Sequence, residues 1–229
     1  MRATWLLLPL LLAVGLALPI SLGCGQVAPA PAEGPVEISL PSPTTDGAIS
    51  LERCLSLRRS VRRFAPEPLT LAQIGQLAWA AQGITEPNRG LRTAPSAGAL
   101  YPLELYLFTP DGVFHYLPQG HKLIQLSDQD RRDDLSAAAL GQGSVSGAPL
   151  DIVITGIYER TTARYGPRSE RYVYLEAGHV AQNLHLQAVA LGLSSVPVGA
   201  LDDAAVQRVL GLAANQTPLY IIPIGHPAA

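Results

Sequence analysis

The sequence predicts one α+β domain, and three observations carry this prediction. The chain has 229 residues, of which 48% are hydrophobic, so it can bury one core of ordinary size. Helical and strand patterns both occur, but the helices do not alternate regularly with strands as a doubly wound sheet requires. The sequence contains no internal repeat. The formal net charge is −2, which argues against nucleic-acid binding because such proteins are usually basic.

The first 24 residues have the pattern of an export signal. An apolar run from Trp5 to Ile20 is shorter than the roughly 20 residues that a membrane-spanning helix needs. The sequence Ser21-Leu22-Gly23-Cys24 follows and resembles a bacterial lipoprotein processing box, although the leucine stands one residue too close to the cysteine. This pattern predicts an exported protein of the cell envelope, tethered to the membrane through acylated Cys24. A cleaved or uncleaved anchor and a buried structural segment are the alternatives.

Residues 25–47 predict a linker between this signal and a folded domain at 48–229. Five prolines stand among small and polar residues, and this composition favours an extended tether. For the second half of the stretch, around Val36 to Leu40, an ordered arm that crosses a partner subunit is the alternative. Beyond the linker, Cys54 has no neighbouring His or Asp and is interpreted as a small buried hydrophobe.

Capping residues and helical spacing predict the helices. Ser50 can cap a first helix at about 51–58, and a capping box of Thr70 and Gln73 begins a second one that ends at Gly83. Further helices are predicted at about 130–140, 170–191 and 203–210.

Alternating and continuous apolar runs predict the strands. Leucines alternate with other residues from Leu103 to Phe108, and Pro110-Asp111-Gly112 turns the chain into a second strand at 113–117. Buried strands are predicted at 150–157, 196–198 and 219–224.

The arginine segment, residues 58–63, is the first candidate binding site. It reads Arg-Arg-Ser-Val-Arg-Arg. Guanidinium groups offer forked, charge-assisted donors, and a serine hydroxyl adds a neutral one, so the segment suits a phosphate dianion. A solvated basic turn, or a surface that faces anionic lipid, is the alternative.

Two further segments allow close approach of a flat ligand. The Ser96 segment, residues 94–102, is rich in small residues and has Ser96 as its polar group. Residues 196–200, Val-Pro-Val-Gly-Ala, form a strand end whose main-chain N–H groups can meet a ring heteroatom. An ordinary turn and an ordinary strand end are the respective alternatives.

One face of the predicted helix at 170–191 combines polar and apolar side chains and is expected to be buried. Glu176 and His179 are three residues apart and are expected to pair with one another. A role at a dimer interface or in substrate binding is the alternative. No third ligand stands nearby, so no metal site is predicted. The face comprises Tyr172, Leu175, Glu176, His179, Gln182, Asn183 and Leu186.

In this order, the segments resemble the nitroreductase superfamily and, within it, the SagB/ThcOx-type dehydrogenases. The resemblance rests on the arginine segment with Phe64, on the Ser96 segment, on the helix at 170–191, on residues 196–200 and on the closing Pro-Leu-Tyr-Ile-Ile-Pro-Ile-Gly-His-Pro. It covers about residues 50–227. It implies an α+β homodimer with a mixed or antiparallel sheet that binds FMN at the subunit interface.

The resemblance also implies roles for individual residues. Arg58, Arg59, Ser60 and Arg62 match the positions that hold the phosphate and ribityl chain of FMN. Pro95, Ser96 and Ala97 match the segment that the other subunit lays against the flavin. Gly199 and Ala200 match the main chain near flavin N5.

Two positions depart from the family pattern. Azoline-oxidising relatives have a Lys-Tyr pair before the long helix, whereas this chain has Arg164-Tyr165 as its candidate catalytic pair. An arginine cannot become a neutral base, which argues against proton abstraction of the azoline type. Near the C-terminus, where many relatives present further cations to the phosphate, this chain has His226, a weaker donor that is interpreted as a substitute or as an exposed histidine.

The sequence therefore predicts an FMN-dependent oxidoreductase that passes hydride through flavin N5 to or from a small-molecule or peptide substrate. A flavin-binding or interaction lipoprotein without catalytic activity on the same fold is the alternative.

Overall fold

The computed structural model describes residues 34–228. The predicted export signal, the acylation of Cys24 and the first part of the predicted linker lie outside the described residues. Among the residues that are described, no helix is both long enough and apolar enough to cross a membrane.

Residues 34–228 contain nine strands. They are β1 (Glu37–Ser39), β2 (Ile84–Glu86), β3 (Leu91–Arg92), β4 (Leu103–Thr109), β5 (Gly112–Leu117), β6 (Lys122–Ser127), β7 (Leu150–Gly156), β8 (Ser194–Ser195) and β9 (Thr217–Gly225). Seven of them form one sheet in the order β1-β6-β5-β4-β7-β9-β8. All its neighbouring strands run antiparallel. The remaining two, β2 and β3, form a separate hairpin.

In the described part of the chain, seven α-helices accompany the sheet. They are α1 (Leu51–Leu57), α2 (Leu71–Gln82), α3 (Arg132–Ala138), α4 (Gly143–Ser146), α5 (Glu159–Tyr165), α6 (Ser169–Ala190) and α7 (Asp203–Leu210). The sequence caps several of them: the predicted capping box of Thr70 and Gln73 is present at α2, and the Ser50 side chain accepts the Arg53 N–H at α1. Such caps satisfy main-chain donors that the first turn leaves open.

The alternation of β4 creates a core on each face of the sheet. Leu105 and Leu107 belong to the core that includes α2 and α6, together with Leu184. Tyr106 and Phe108 belong to the other core, which includes α3, α4 and α7. Because successive side chains of a strand point to opposite faces, one strand connects the two cores, and the predicted α+β class is confirmed.

Strand β1 lies inside the stretch 25–47 that composition predicted to be a linker. The structure departs from that prediction at residues 37–39, where Ile38 stands opposite Leu123 of β6. The Lys122 ammonium lies 2.7 Å from the Glu37 carboxylate, and Leu40 is buried. This segment is therefore ordered, and it pairs with β6 of its own chain.

The other differences from prediction concern short elements. The hairpin β2–β3, strand β6 and helices α4 and α5 were not predicted, because their apolar patterns are too short to stand out. The predicted strand at 196–198 was wrong: β8 ends at Ser195, and Val198 makes only an isolated bridge with Ile221. Pro197 lies between Ser195 and Val198 and has no N–H to donate to a neighbouring strand. The predicted burial of Cys54 is confirmed.

Candidate functional site

The arginine segment runs in extended form between two other parts of the chain. Ser60 forms a parallel bridge with Ser195 of β8, and the Val61 N–H donates to the Ser195 carbonyl at 3.1 Å. Further along, the Ala65 N–H donates to the carbonyl of His226 at 2.9 Å. The structure thus brings the arginine segment, β8 and His226 together at one edge of the sheet.

The guanidinium groups of this segment are available for an anion. Arg58 is half-buried, whereas Arg59, Ser60 and Arg62 are exposed. The Arg59 guanidinium donates to two main-chain carbonyls, at 3.1 and 2.7 Å. Among residues 34–228, none of the arginines in the segment forms an ion pair with a carboxylate. This set of cations around one hydroxyl fits a phosphate dianion, because each fork can bind two phosphate oxygens.

A buried histidine and serine lie beneath the arginine segment. The Nδ1 atom of His185 on α6 is 2.7 Å from the Ser195 hydroxyl oxygen, and either atom can donate in this hydrogen bond, depending on the tautomer. Both residues are buried. Burial, helped by the nearby charge of Arg58, lowers the pKa of His185 to about 4. The imidazole is therefore neutral at physiological pH and supports the strand rather than adding a cation.

Residues Gly199 and Ala200 lie on the same edge, just beyond the bridge between Val198 and Ile221. Both are exposed. The Gln142 side chain donates to the Ala200 carbonyl at 2.9 Å. In the described part of the chain, the N–H groups of Gly199 and Ala200 donate to no main-chain carbonyl. These N–H groups are therefore free to meet an acceptor on a ligand.

The Ser96 segment is a tight turn with left-handed residues. Ser96 Oγ accepts the Tyr101 N–H at 2.9 Å. Gly98, Ala99 and Tyr101 have φ values of 65°, 54° and 46°, which strain residues other than glycine. Pro95 is exposed, and Ser96 and Ala97 are half-buried. The segment is a defined surface loop held by its own hydrogen bond.

Arg164 and Tyr165 come to lie against this segment. A Cβ atom at Gly98 would stand 2.9 Å from Arg164 Nη1 and 2.9 Å from the Tyr165 hydroxyl. A glycine at this position therefore lets both side chains approach the main chain of the turn. The two candidate catalytic residues and Ser96 belong to one site.

Glu176 occupies the interior next to the Ser96 segment and does not pair with His179. The predicted pairing was wrong: His179 is exposed, and its Nδ1 lies 3.4 Å from the Pro95 carbonyl oxygen. Glu176 is buried instead, and burial raises the pKa of its carboxyl to about 7 against smaller opposing effects of Ser96, Gln82 and Arg92. Within residues 34–228, Glu176 Oε1 and Gln82 Nε2 have no hydrogen-bond partner. The carboxyl consequently holds a proton close to neutral pH.

The buried face of α6 also differs from the predicted one. The buried stripe of α6 runs through Val173, Ala177, Val180, Leu184 and Ala188, whereas Leu175 is 55% exposed. The long apolar side chains of the helix are distributed around it, so their spacing did not identify the buried face.

The site residues form two groups at the two ends of α6. Glu176 contacts the Ser96 group, and His185 contacts the arginine group. These two positions are separated by nine residues, or about 14 Å along the helix axis. One chain therefore assembles each group beside a different stretch of α6.

Sequence reasoning named Glu176 and expected it to be buried, but it assigned the wrong surroundings to this carboxyl and missed the buried His185. Glu176 and His185 both flank the apolar stripe of α6, and a polar residue beside such a stripe is a usable signal. The contacts of Gln82, Arg92 and Ser195 depend on packing between elements that are distant in sequence, which periodicity does not describe.

Fold and site together define an α+β domain with an arginine-rich sheet edge and a separate polar turn. The model of the Nitroreductase family matches residues 55–226. The chain belongs to this family, which confirms the predicted nitroreductase-like fold.

Two similar proteins match most of the chain. A provisionally named nitroreductase of Methanocaldococcus jannaschii is 42% identical over 184 residues, which are 78% of this chain and 91% of that protein. A solved structure from Ralstonia eutropha, also provisionally named a nitroreductase, superposes with a TM-score of 0.77 at 31% identity. That alignment covers 84% of this chain and 90% of the other.

Two more distant relatives carry functional names. The microcin B17-processing protein McbC of Escherichia coli is 26% identical over 155 residues, which are 63% of this chain and 57% of that protein. The NADPH-flavin oxidoreductase of Vibrio harveyi is 28% identical over 113 residues, which are 46% of this chain and 47% of that protein. The chain is thus similar both to a flavin oxidoreductase and to a microcin-processing protein.

Proposed function

We propose that this protein is an FMN-dependent oxidoreductase that transfers hydride to or from a small-molecule or peptide substrate. The arginine segment is the observation that carries the proposal. It offers several guanidinium groups without acidic partners among the described residues, and free N–H groups at Gly199 and Ala200 lie on the same edge. A phosphate-bearing planar cofactor fits this set of donors.

Each residue has a role in binding the cofactor. Arg58, Arg59, Ser60 and Arg62 bind the phosphate and ribityl chain, and His226 adds a donor beside them. The N–H groups of Gly199 and Ala200 donate to the edge of the ring and stabilise negative charge there. When bound, FMN supplies hydride transfer through N5 of its isoalloxazine ring.

A homodimer completes the site. Pro95, Ser96 and Ala97 of one chain would cover the flavin held by the arginine segment of the other; within one chain, the two segments lie beside different stretches of α6, at Glu176 and at His185. Exposed apolar side chains on α6 support association: Tyr174 is 51% and Leu175 is 55% exposed. Apolar surface of this kind often marks an interface.

The likeness to McbC supports a peptide-processing dehydrogenase of the SagB/ThcOx type. The arginine at position 164 argues against a reaction that needs a neutral lysine base. This same observation favours the second candidate, a flavin-binding or interaction lipoprotein without turnover. In both cases we propose export and attachment to the cell envelope through Cys24, on the strength of the N-terminal sequence.

The purified full-length protein tests the proposed function through its flavin. One FMN per chain, measured by absorbance, is expected. Anaerobic reduction of that flavin should be followed by reoxidation by an added acceptor in repeated turnover. Bound flavin without turnover of any acceptor would favour the non-catalytic candidate. Failure to bind FMN at micromolar concentration would overturn the proposal.

A further inference from the structure

Helix α5 carries two arginines one turn apart with different surroundings. Arg160 Nη2 lies 2.6 Å from the Glu104 carboxylate, and its Nη1 donates to the Tyr101 carbonyl at 3.1 Å. Glu104 also lies 2.8 Å from His115 Nε2. These bonds attach α5 to β4 and to the Ser96 segment. In the described part of the chain, Arg164 forms no ion pair and no hydrogen bond, so its charge is available.

The Arg164 guanidinium and the Tyr165 hydroxyl are held side by side. Both lie 2.9 Å from the position that a Cβ of Gly98 would take. The Tyr165 ring packs edge-on against Tyr172, with ring centroids 4.9 Å apart. The Arg164 guanidinium carbon is 5.6 Å from the centre of the Tyr165 ring. Packing of this kind limits the orientations that the phenol can adopt.

Both groups are donors that lack an acceptor. Among residues 34–228, the Tyr165 hydroxyl and the Arg164 guanidinium donate to no protein atom, although the Ser96 segment lies directly beside them. Arg164 is exposed and Tyr165 is half-buried. A ligand that reaches the Ser96 segment therefore meets one permanent positive charge and one neutral donor.

These donors match a carboxylate better than a phosphate dianion. A guanidinium fork binds the two oxygens of a carboxylate in one plane, and one cation neutralises its single charge. A phosphate dianion needs more positive charge, which the arginine segment supplies at the other end of α6. Charge and geometry thus separate a phosphate-binding end from a carboxylate-binding end.

We propose that Arg164 and Tyr165 bind a carboxylate group of the substrate beside the Ser96 segment. The inference rests on the proposed function, because it names the substrate class of that same site. It assigns the pair to substrate binding and orientation: the guanidinium remains protonated throughout, and the phenol donates its hydrogen bond to the second carboxylate oxygen. Molecules that carry a carboxylate are therefore favoured over their neutral isosteres.

Benzoate and its neutral isostere benzamide test the inference by calorimetric titration of the flavin-loaded full-length protein. The wild type should bind benzoate at least about tenfold more tightly than benzamide, since hydrogen bonds to charged groups are the stronger ones. Arg164→Gln should remove this preference, and Tyr165→Phe should reduce it while keeping the packing on Tyr172. The matched control Arg171→Gln removes an exposed arginine of α6 and should leave the preference unchanged.

A kinetic readout extends the same comparison to electron transfer. The reduced protein is reoxidised by 4-nitrobenzoate or 4-nitrobenzamide, and the ratio of the two apparent affinities is compared between wild type and Arg164→Gln. A ratio that falls about tenfold agrees with the inference. A wild type that binds no benzoate, or an Arg164→Gln variant with an unchanged preference, would overturn it. Failure of the proposed function is distinguishable, because the protein would then bind no FMN at all.

Discussion

Each of the two halves of α6 buries one titratable side chain, and the two side chains differ in their hydrogen bonding. At one end, the imidazole of His185 is hydrogen-bonded to Ser195 at 2.7 Å, and burial keeps it neutral. At the other end, the carboxyl of Glu176 has an oxygen without a partner among the described residues, and burial keeps it protonated close to neutral pH. The buried imidazole of His185 thus has a hydrogen-bond partner on β8. The buried carboxyl of Glu176, next to the Ser96 segment, keeps an oxygen without a partner among the described residues.

This difference matches the chemistry that we assign to each end. The His185 end lies under the arginine segment, where a phosphate needs a fixed set of cations and no titration. The Glu176 end lies next to the turn that carries Ser96, against which Arg164 and Tyr165 of α5 lie, and we propose that the substrate binds there. Buried groups that titrate near neutrality often occur at such places. The comparison can be tested at each end separately.

The largest effect is expected from the phosphate-binding end. Arg58→Ala combined with Arg62→Ala should weaken FMN binding by at least tenfold. If both contacts are lost in full, at roughly 1.5–3 kcal/mol each, the dissociation constant of FMN rises about a hundredfold or more, so tenfold is the smallest change expected. Fluorescence titration of FMN measures the dissociation constant. The matched control, Arg168→Ala with Arg171→Ala, removes the same charge elsewhere and should change it little. Unchanged FMN affinity in a folded Arg58/Arg62 variant would remove the phosphate assignment.

The raised pKa of Glu176 should make the free energy of unfolding depend on pH. A folded-state pKa of about 7, above the ordinary 4.5, means that the folded protein holds a proton that the unfolded chain has released. The free energy of unfolding should therefore fall as pH rises from 4.5 to 7, by about 3 kcal/mol from this group.

His185 has the opposite sign, because its pKa falls from 6.5 to about 4 on folding. The contribution of His185 to the free energy of unfolding is present above pH 6.5 and is lost as pH falls toward 4. In the wild type, the pH slopes caused by His185 and by Glu176 therefore have opposite signs. Glu176→Gln should make the slope more positive by about 1.4 kcal/mol per pH unit between pH 4.5 and 6.5. Urea unfolding at several pH values measures this. Glu170→Gln, an exposed residue in the first turn of the same helix, is the control; equal slopes for the two variants would contradict the buried, protonated state of Glu176.

The smallest effect is expected from the hydrogen bond at the His185 end. Ser195→Ala leaves His185 Nδ1 buried without its partner, which should lower the free energy of unfolding by about 1–2 kcal/mol at pH 7.5. Chemical denaturation measures the loss. The neighbouring Ser194→Ala is the control, since Ser194 is half-buried. Equal stability of the two variants would show that the pair contributes nothing to the strand.

The sequence predicted the elements with strong periodicity, and it singled out the segments of distinctive composition that we propose bind the cofactor. The strand from Leu103, the capping box at Thr70 and the long helix were predictable because each pattern is local. The strand at 37–39 was not, since its proline-rich surroundings resemble a tether and only pairing with β6 orders it. The environment of Glu176 was mispredicted because its spacing from His179 is local, whereas its burial depends on the turn at residues 94–102, distant in sequence.

The central claim is that each site combines the arginine segment of one chain with the Ser96 segment of another. Mixing two defective variants tests it: Arg58→Ala/Arg62→Ala supplies chains with an intact Ser96 segment, and Ser96→Trp supplies chains with an intact arginine segment. In a symmetric dimer, each hybrid regains one intact site of its two. After co-expression or refolding together, random pairing makes half of the dimers hybrids, so FMN occupancy should recover to about a quarter of the wild-type value. No recovery in verified hybrid dimers would contradict the account, because the site would then be built within one chain.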